Sequence, residues 1–136
     1  MIRFDDKYFA KFAFTKEQVE KNLANALKDL RIAREDAIID VKFNYAYNAL
    51  IKAGIALISF YGQKVKSVPG HHIKILDVMS ASLEDAGIND MGNVMRSKRN
   101  TDFYAGGIEV TEKECREYLE FAQIVVAKVK KIIAKV

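Results

Sequence analysis

The chain has 136 residues, half of them apolar and 29% charged, with one proline, seven glycines, one cysteine and a formal net charge of +4. A chain of this length makes one domain that buries about two-thirds of its unfolded surface without staples, and it is too apolar to be disordered throughout. The lone Cys115 can close no internal disulfide and excludes a cysteine-rich zinc site, while 22 bases against 18 acids permit contact with phosphate without predicting it.

Low proline content and apolar residues spaced three and four apart predict an all-α protein. Residues 1–14 carry Phe4, Tyr8, Phe9, Phe12 and Phe14 among charges, and read as either a short helix or an aromatic arm over the bundle; residues 15–136 form the bundle itself. Thr15 to Gln18 is a capping-box pattern that opens a first helix. Val19, Leu23, Ala26, Leu27, Leu30 and Ala33 line its inner face, with Lys16, Glu20, Lys28 and Asp29 on other faces. This helix ends near Arg34. A continuous helix from 15 to 62 would span about 70 Å, too long for so small a domain, so a turn is expected near 35–40 with Asp36 or Asp40 as the next cap.

The second helix runs to Tyr61 with Phe43, Tyr47, Leu50, Gly54, Leu57 and Ile58 inward, and Gly62 stops it. Tyr47 and Tyr61 are core residues with their hydroxyls near the rim. Gly54 costs its helix about 1 kcal/mol against Ala, which predicts close approach of a neighbouring helix. Residues 63–69 read as a loop. After the Pro69-Gly70 turn a third helix, with Ile73, Leu76, Val78, Met79 and Leu83 inward, runs to Ala86 and stops at Gly87. A short fourth helix starts at Asn89 or Asp90, places Met91, Val94 and Met95 inward and fades near Asp102, before a loop at Ala105-Gly106-Gly107. Thr111 to Glu114 is a second capping box, opening a last helix lined by Cys115, Leu119, Ala122, Val125, Val126, Val129, Ile132 and Ile133.

Four main helices and one short one predict an up-and-down bundle. With alternating directions, the end of the second helix and the starts of the third and last share a pole with the end of the fourth. Lys64, Lys66, His71, His72, Arg99, Asn100 and Tyr104 then gather where a polyanion could bind, with Arg96 on the same helix face as Arg99, and Glu35, Asp36, Asp40, Glu84, Asp85 and Asp90 make the opposite pole acidic. The plainer alternatives are an Arg99–Asp102 ion pair, His71 and His72 serving the turn, and Arg96 and Lys98 as solvated charges. Two adjacent histidines without a third ligand do not make a metal site, and no cofactor motif occurs. Lys52 interrupts the longest apolar stretch, residues 46–61, and the first residues carry acids where a signal peptide is apolar, so a cytoplasmic protein without a membrane span is expected.

The segment Met95-Arg96-Ser97-Lys98-Arg99-Asn100-Thr101-Asp102-Phe103-Tyr104 resembles the Arg-Asn motif closing the fourth helix of HEPN domains, the helical nucleotide-binding domains of prokaryotic toxin–antitoxin and defence systems. Residues 47–62 and the Pro69-Gly70-His71-His72 turn are similar to the subgroup whose motif ends in Tyr. The resemblance implies a homodimer and, in catalytic members, a metal-independent ribonuclease in which Arg holds phosphate and a following His moves protons. Here Arg99 and Asn100 match, but Tyr104 stands at the His position, and a phenol with a pKa of about 10 is a poor base. The implied function is a catalytically weak or silent domain that binds a nucleotide or a partner such as a nucleotidyltransferase, with Arg96, Lys98, His71 and Lys66 assisting. The alternative is a ribonuclease acting on RNA through Arg99, Asn100 and Tyr104 or His72, with neither metal nor cofactor.

Overall fold

The computed structural model describes residues 2–105 and 110–134, and for residues 101–105 the backbone alone. It contains helices α1 (Lys16–Glu35), α2 (Ile39–Phe60), α3 (His71–Ser82), α4 (Ala86–Ala105) and α5 (Glu112–Ala134), and strands β1 (Phe9–Lys11) and β2 (Gln63–Val65). The all-α reading therefore holds for the bulk of the chain, with a two-stranded ribbon added. Of the loop expected at Ala105-Gly106-Gly107, Ala105 is instead the last residue of α4, which runs past Asp102, and the two glycines lie outside the described residues.

Both capping boxes form. Thr15 Oγ1 accepts from Gln18 N–H at 3.1 Å while the Thr15 amide donates back to Gln18 Oε1 at 2.9 Å, and Thr111 and Glu114 repeat the pattern at α5. The turn between α1 and α2 falls where length required it, but neither acid caps α2. Ile38 precedes α2 without a side-chain cap, and Asp36 instead closes α1 and accepts the Ile38 amide at 2.9 Å. Lys42 Nζ then bonds the carbonyls of Arg34 and Asp36, satisfying two acceptors that the end of a helix leaves open.

The N-terminal segment is an arm, and it contains a strand. β1 pairs antiparallel with β2 in the register Phe9↔Val65, Ala10↔Lys64 and Lys11↔Gln63, so the expected loop at 63–69 begins as a strand. Phe9 is the buried anchor of the pair and meets Phe4 edge-on at 5.3 Å. Gly62, at φ +74°, permits the reversal from α2 into β2.

α3 ends at Ser82, earlier than expected. Ser80 Oγ donates to the Asp85 carbonyl, Glu84 takes a φ of 51°, and Gly87 lies inside α4 rather than stopping α3. The short helix of the five is consequently α3, with 12 residues, and α4 extends over 20. Ile73 and Val94, expected inside, are exposed, and Ile75 and Ile88 take core positions instead. Asp29, expected outside, is buried against Lys52, whose Nζ lies 2.6 Å from its carboxylate.

Helix directions depart from simple alternation. α1 runs antiparallel to α2, with Asn22 bonded to Ser59 near one end and Lys42 to Arg34 at the other. α3 runs parallel to α2: His72 meets Tyr47, Ile75 and Met79 face Gly54, and Ser82 Oγ lies 2.6 Å from the Tyr61 hydroxyl. α5 is also parallel to α2, since Cys115 lies by Ile39 and Ile133 shares a groove with Ser59 and Gly62. The ribbon explains the exception, because β2 and the following turn carry the chain back along α2 before α3 begins. The starts of α3 and α5 and the end of α4 do share an end of the bundle, but it is the end where α2 starts. Glu35, Asp36 and Asp40 lie at that end too, while Asp85 pairs with Lys128 at the far one, so the expected acidic pole does not exist.

Candidate functional site

A cleft of about 470 Å³ opens between the turn that starts α3 and the second half of α4. Residues 67–73 form one wall, and Arg96 and Asn100 form the other. Its size is in the range of small-ligand sites, and among the described residues no carboxylate lines it.

The turn wall is built by two backbone devices. Gly70, at φ +84°, lets the chain turn directly into α3. His71 Nδ1 then lies 2.8 Å from the Val68 carbonyl, an acceptor only, so Nδ1 carries the proton that joins the ring to the turn. The N-terminal arm braces this turn from behind. Lys66 N–H bonds the Tyr8 carbonyl, Lys66 Nζ bonds the Asp6 carbonyl at 2.7 Å, and Lys74 Nζ lies 5.2 Å from the centre of the Tyr8 ring. Lys66 is thus engaged with the arm and does not line the cleft, and Lys64 is likewise set over Phe12.

On the opposite wall, a run of amides along α4 aims Arg96. Asn93 Nδ2 donates to the Asn89 backbone and side-chain oxygens, and Asn93 Oδ1 accepts from Arg96 Nε at 3.2 Å. These bonds fix the guanidinium plane and leave its two terminal nitrogens for a ligand. Asn100, one turn further on, is exposed at the same wall. Lys98 points to α5, where its ammonium pairs with Glu114 at 3.5 Å.

Behind the walls, in contact with His72 and Arg99, lies a residue that the sequence places in the core. Tyr47 is wholly buried, its hydroxyl is 2.9 Å from His72 Nδ1, and the Arg99 guanidinium carbon sits 5.5 Å from its ring centre. Burial pushes the Tyr47 phenol up to about 12, against the opposing pull of Arg99 and Arg96, so it remains protonated and donates to His72 Nδ1. The remaining ring proton of neutral His72 is then on Nε2. Burial first, then the charges of His71, Arg99 and Arg96, push His72 down to about 4, so the ring is neutral near pH 7. His71 and His72 meet edge to face with centroids 4.5 Å apart.

The structure therefore joins Arg96, Arg99, Asn100, His71 and His72 at one place and leaves Lys66 and Lys98 outside it. Arg99 is set behind the wall on Tyr47, and Arg96 is the guanidinium that lines the cleft. Among the described residues neither arginine forms an ion pair. The Tyr104 side chain and the carboxylate of Asp102 lie outside the described residues. Sequence reasoning missed the working role of Tyr47 and the amides of Asn89 and Asn93; their spacing of four on α4 was the available signal. Among the described residues no three His, Cys, Asp or Glu side chains cluster as a metal site, and no helix is long and apolar enough to cross a membrane. No family model, curated protein or solved structure matches the chain.

Proposed function

We propose that this chain is an anion-binding helical domain of the HEPN type, taking a nucleotide or the phosphate groups of an RNA in the cleft between the α3 turn and α4. The observation that carries this reading is the convergence of Arg96, Asn100, His71 and His72 on a cleft that no carboxylate lines among the described residues, with Arg99 close behind on Tyr47. Two permanent cations without an ionic partner among the described residues leave a positive field that an anion relieves. Arg96, held by Asn93, supplies a fork suited to two phosphate oxygens; Asn100 and His72 Nε2–H add neutral donors.

The state of His72 favours binding over chemistry. A general base works best with a pKa near the operating pH, and His72 lies well below it. We therefore read the domain as catalytically weak or silent, with homodimerisation and a nucleotidyltransferase partner as further parts of the same proposal. Fluorescence anisotropy of a labelled oligoribonucleotide and of a fluorescent adenosine nucleotide, with and without chelator, tests both halves. Binding that Arg96→Ala and Arg99→Ala each weaken about tenfold or more, without strand cleavage, is the expected result. Unchanged affinity in both variants overturns the site; chelator-resistant cleavage abolished by Arg99→Ala establishes a ribonuclease instead.

A further inference from the structure

We propose that the cleft selects a phosphate monoester, bound as its dianion, over a diester, and that His72 takes up a proton as the ligand enters. The inference rests on the anion-binding reading above and names the ligand class and the coupling.

The charge balance of the site is the first ground. Arg96 lines the cleft and Arg99 lies just behind it on Tyr47, so two fixed positive charges face a space with no acidic side chain in its lining among the described residues. A diester brings one negative charge and leaves the pair half compensated, whereas a monoester brings two. A cleft of about 470 Å³ accommodates a terminal phosphate with a small group attached, and Val68, Pro69 and Ile73 give that group an apolar surface.

The second ground is the setting of His72. From α2 it faces the buried Tyr47 hydroxyl; on its own helix it faces His71; from α4 it faces Arg96 and Arg99. Lys74, the other cation near the start of α3, is turned away over the Tyr8 ring. Among the described residues every charged group facing His72 is therefore basic, and burial first, then these charges, hold the imidazole neutral. A dianion against Arg96 reverses that field: the added proton goes to Nδ1, where the Tyr47 hydroxyl turns to accept it, and Nε2–H becomes a charged donor to the ligand. His71 has its Nδ1 proton engaged by the Val68 carbonyl.

Calorimetric titration of the full chain with sulfate, AMP and cyclic AMP tests the idea, cyclic AMP presenting the same base and sugar on a monoanionic diester. At about pH 7 AMP is expected to bind roughly tenfold or more tighter than cyclic AMP. Sulfate remains a dianion over the range used, so its affinity is expected to rise as pH falls from about 8 to 6, with about 0.5–1 proton taken up per ion. His72→Gln should bind sulfate without proton uptake. The His72 proton resonance of the unmodified chain, titrated with and without sulfate, reads the same proton should the variant not fold. Equal binding of AMP and cyclic AMP, or uptake that survives in His72→Gln, overturns this inference and leaves the anion site standing. No binding of any of the three anions overturns both.

Discussion

The Tyr47 hydroxyl and His72 Nδ1 meet at 2.9 Å across the contact between α2 and α3, and this bond ties the core of the bundle to the wall of its cleft. Its direction matters for any ligand. Because the buried phenol donates, His72 presents Nε2–H as a donor at neutral pH. This part-buried bond joins α3 to α2 along their parallel run, the feature that separates this bundle from simple alternation.

Tyr47→Phe removes the donor while keeping the ring on which Arg99 lies. The expected cost is about 1 kcal/mol, the usual net value of a hydrogen bond, read as a lower denaturation midpoint. Nitrogen chemical shifts of His72 should change from a dominant Nε2–H tautomer to a mixture. An unchanged tautomer would show that the phenol does not set it.

The depressed His72 also makes stability depend on pH. Its ordinary value of 6.5 applies to the unfolded chain, and the folded value is about 4. Between these the unfolded chain holds more protons, so the contribution of His72 is fully present above about pH 6.5 and is lost as pH falls toward 4. Chemical denaturation across that window should show falling stability, with a shallower slope in His72→Gln. A slope unaltered by the substitution would assign the effect to other groups.

Much of this fold was legible before any coordinates, and the failures have local causes. Thr15-Gln18 and Thr111-Glu114 announce their helices because a capping box needs only four residues of sequence. The ribbon was hidden because β1 and β2 have three residues each and Phe9 alone is deeply buried, too little for an alternation to register. Gly87 resembles a helix stop, yet Glu84 makes the left-handed turn and Gly87 is left within α4. At the cleft, Arg96, Arg99, Asn100, His71 and His72 are legible as a group, although alternating helices would bring them together at the end of α2 and the structure does so at its start. Arg96 and Arg99 exchange their expected prominence because Asn93 steers Arg96 outward while the face of Tyr47 holds Arg99 back.

Asp29 shows what a helical periodicity cannot convey. It sits in the α1–α2 contact with an oxygen that has no hydrogen-bond partner of good geometry, so the ammonium of Lys52 at 2.6 Å is its compensation. Lys52 itself is 44% exposed, which moderates the pair. Lys52→Met should destabilise the chain by about 1–3 kcal/mol by leaving a buried carboxylate unpaired, and pairing Lys52→Met with Asp29→Leu should recover much of the loss. A double variant no more stable than Lys52→Met would indicate that the pair contributes beyond mutual compensation.

Gly54 is where the parallel α2–α3 contact is closest. A Cβ there would collide with Ile75 Cγ2 and Met79 Sδ. Met79 is flexible and can move aside, but the Ile75 methyl stands on a branched carbon with a stiff first torsion. Gly54→Ala gains about 1 kcal/mol of helix propensity and incurs about 1–3 kcal/mol of overpacking, so a net loss on the order of 1 kcal/mol is expected. Gly92→Ala provides the comparison, since its Cβ would meet the terminal methyls of Leu76, which can rotate. Thermal melts should place Gly54→Ala below Gly92→Ala by a few degrees, roughly 3–5 °C for each kcal/mol. The reverse order would show that α3 shifts freely along α2 and that Ile75 does not set the spacing that brings His72 to Tyr47.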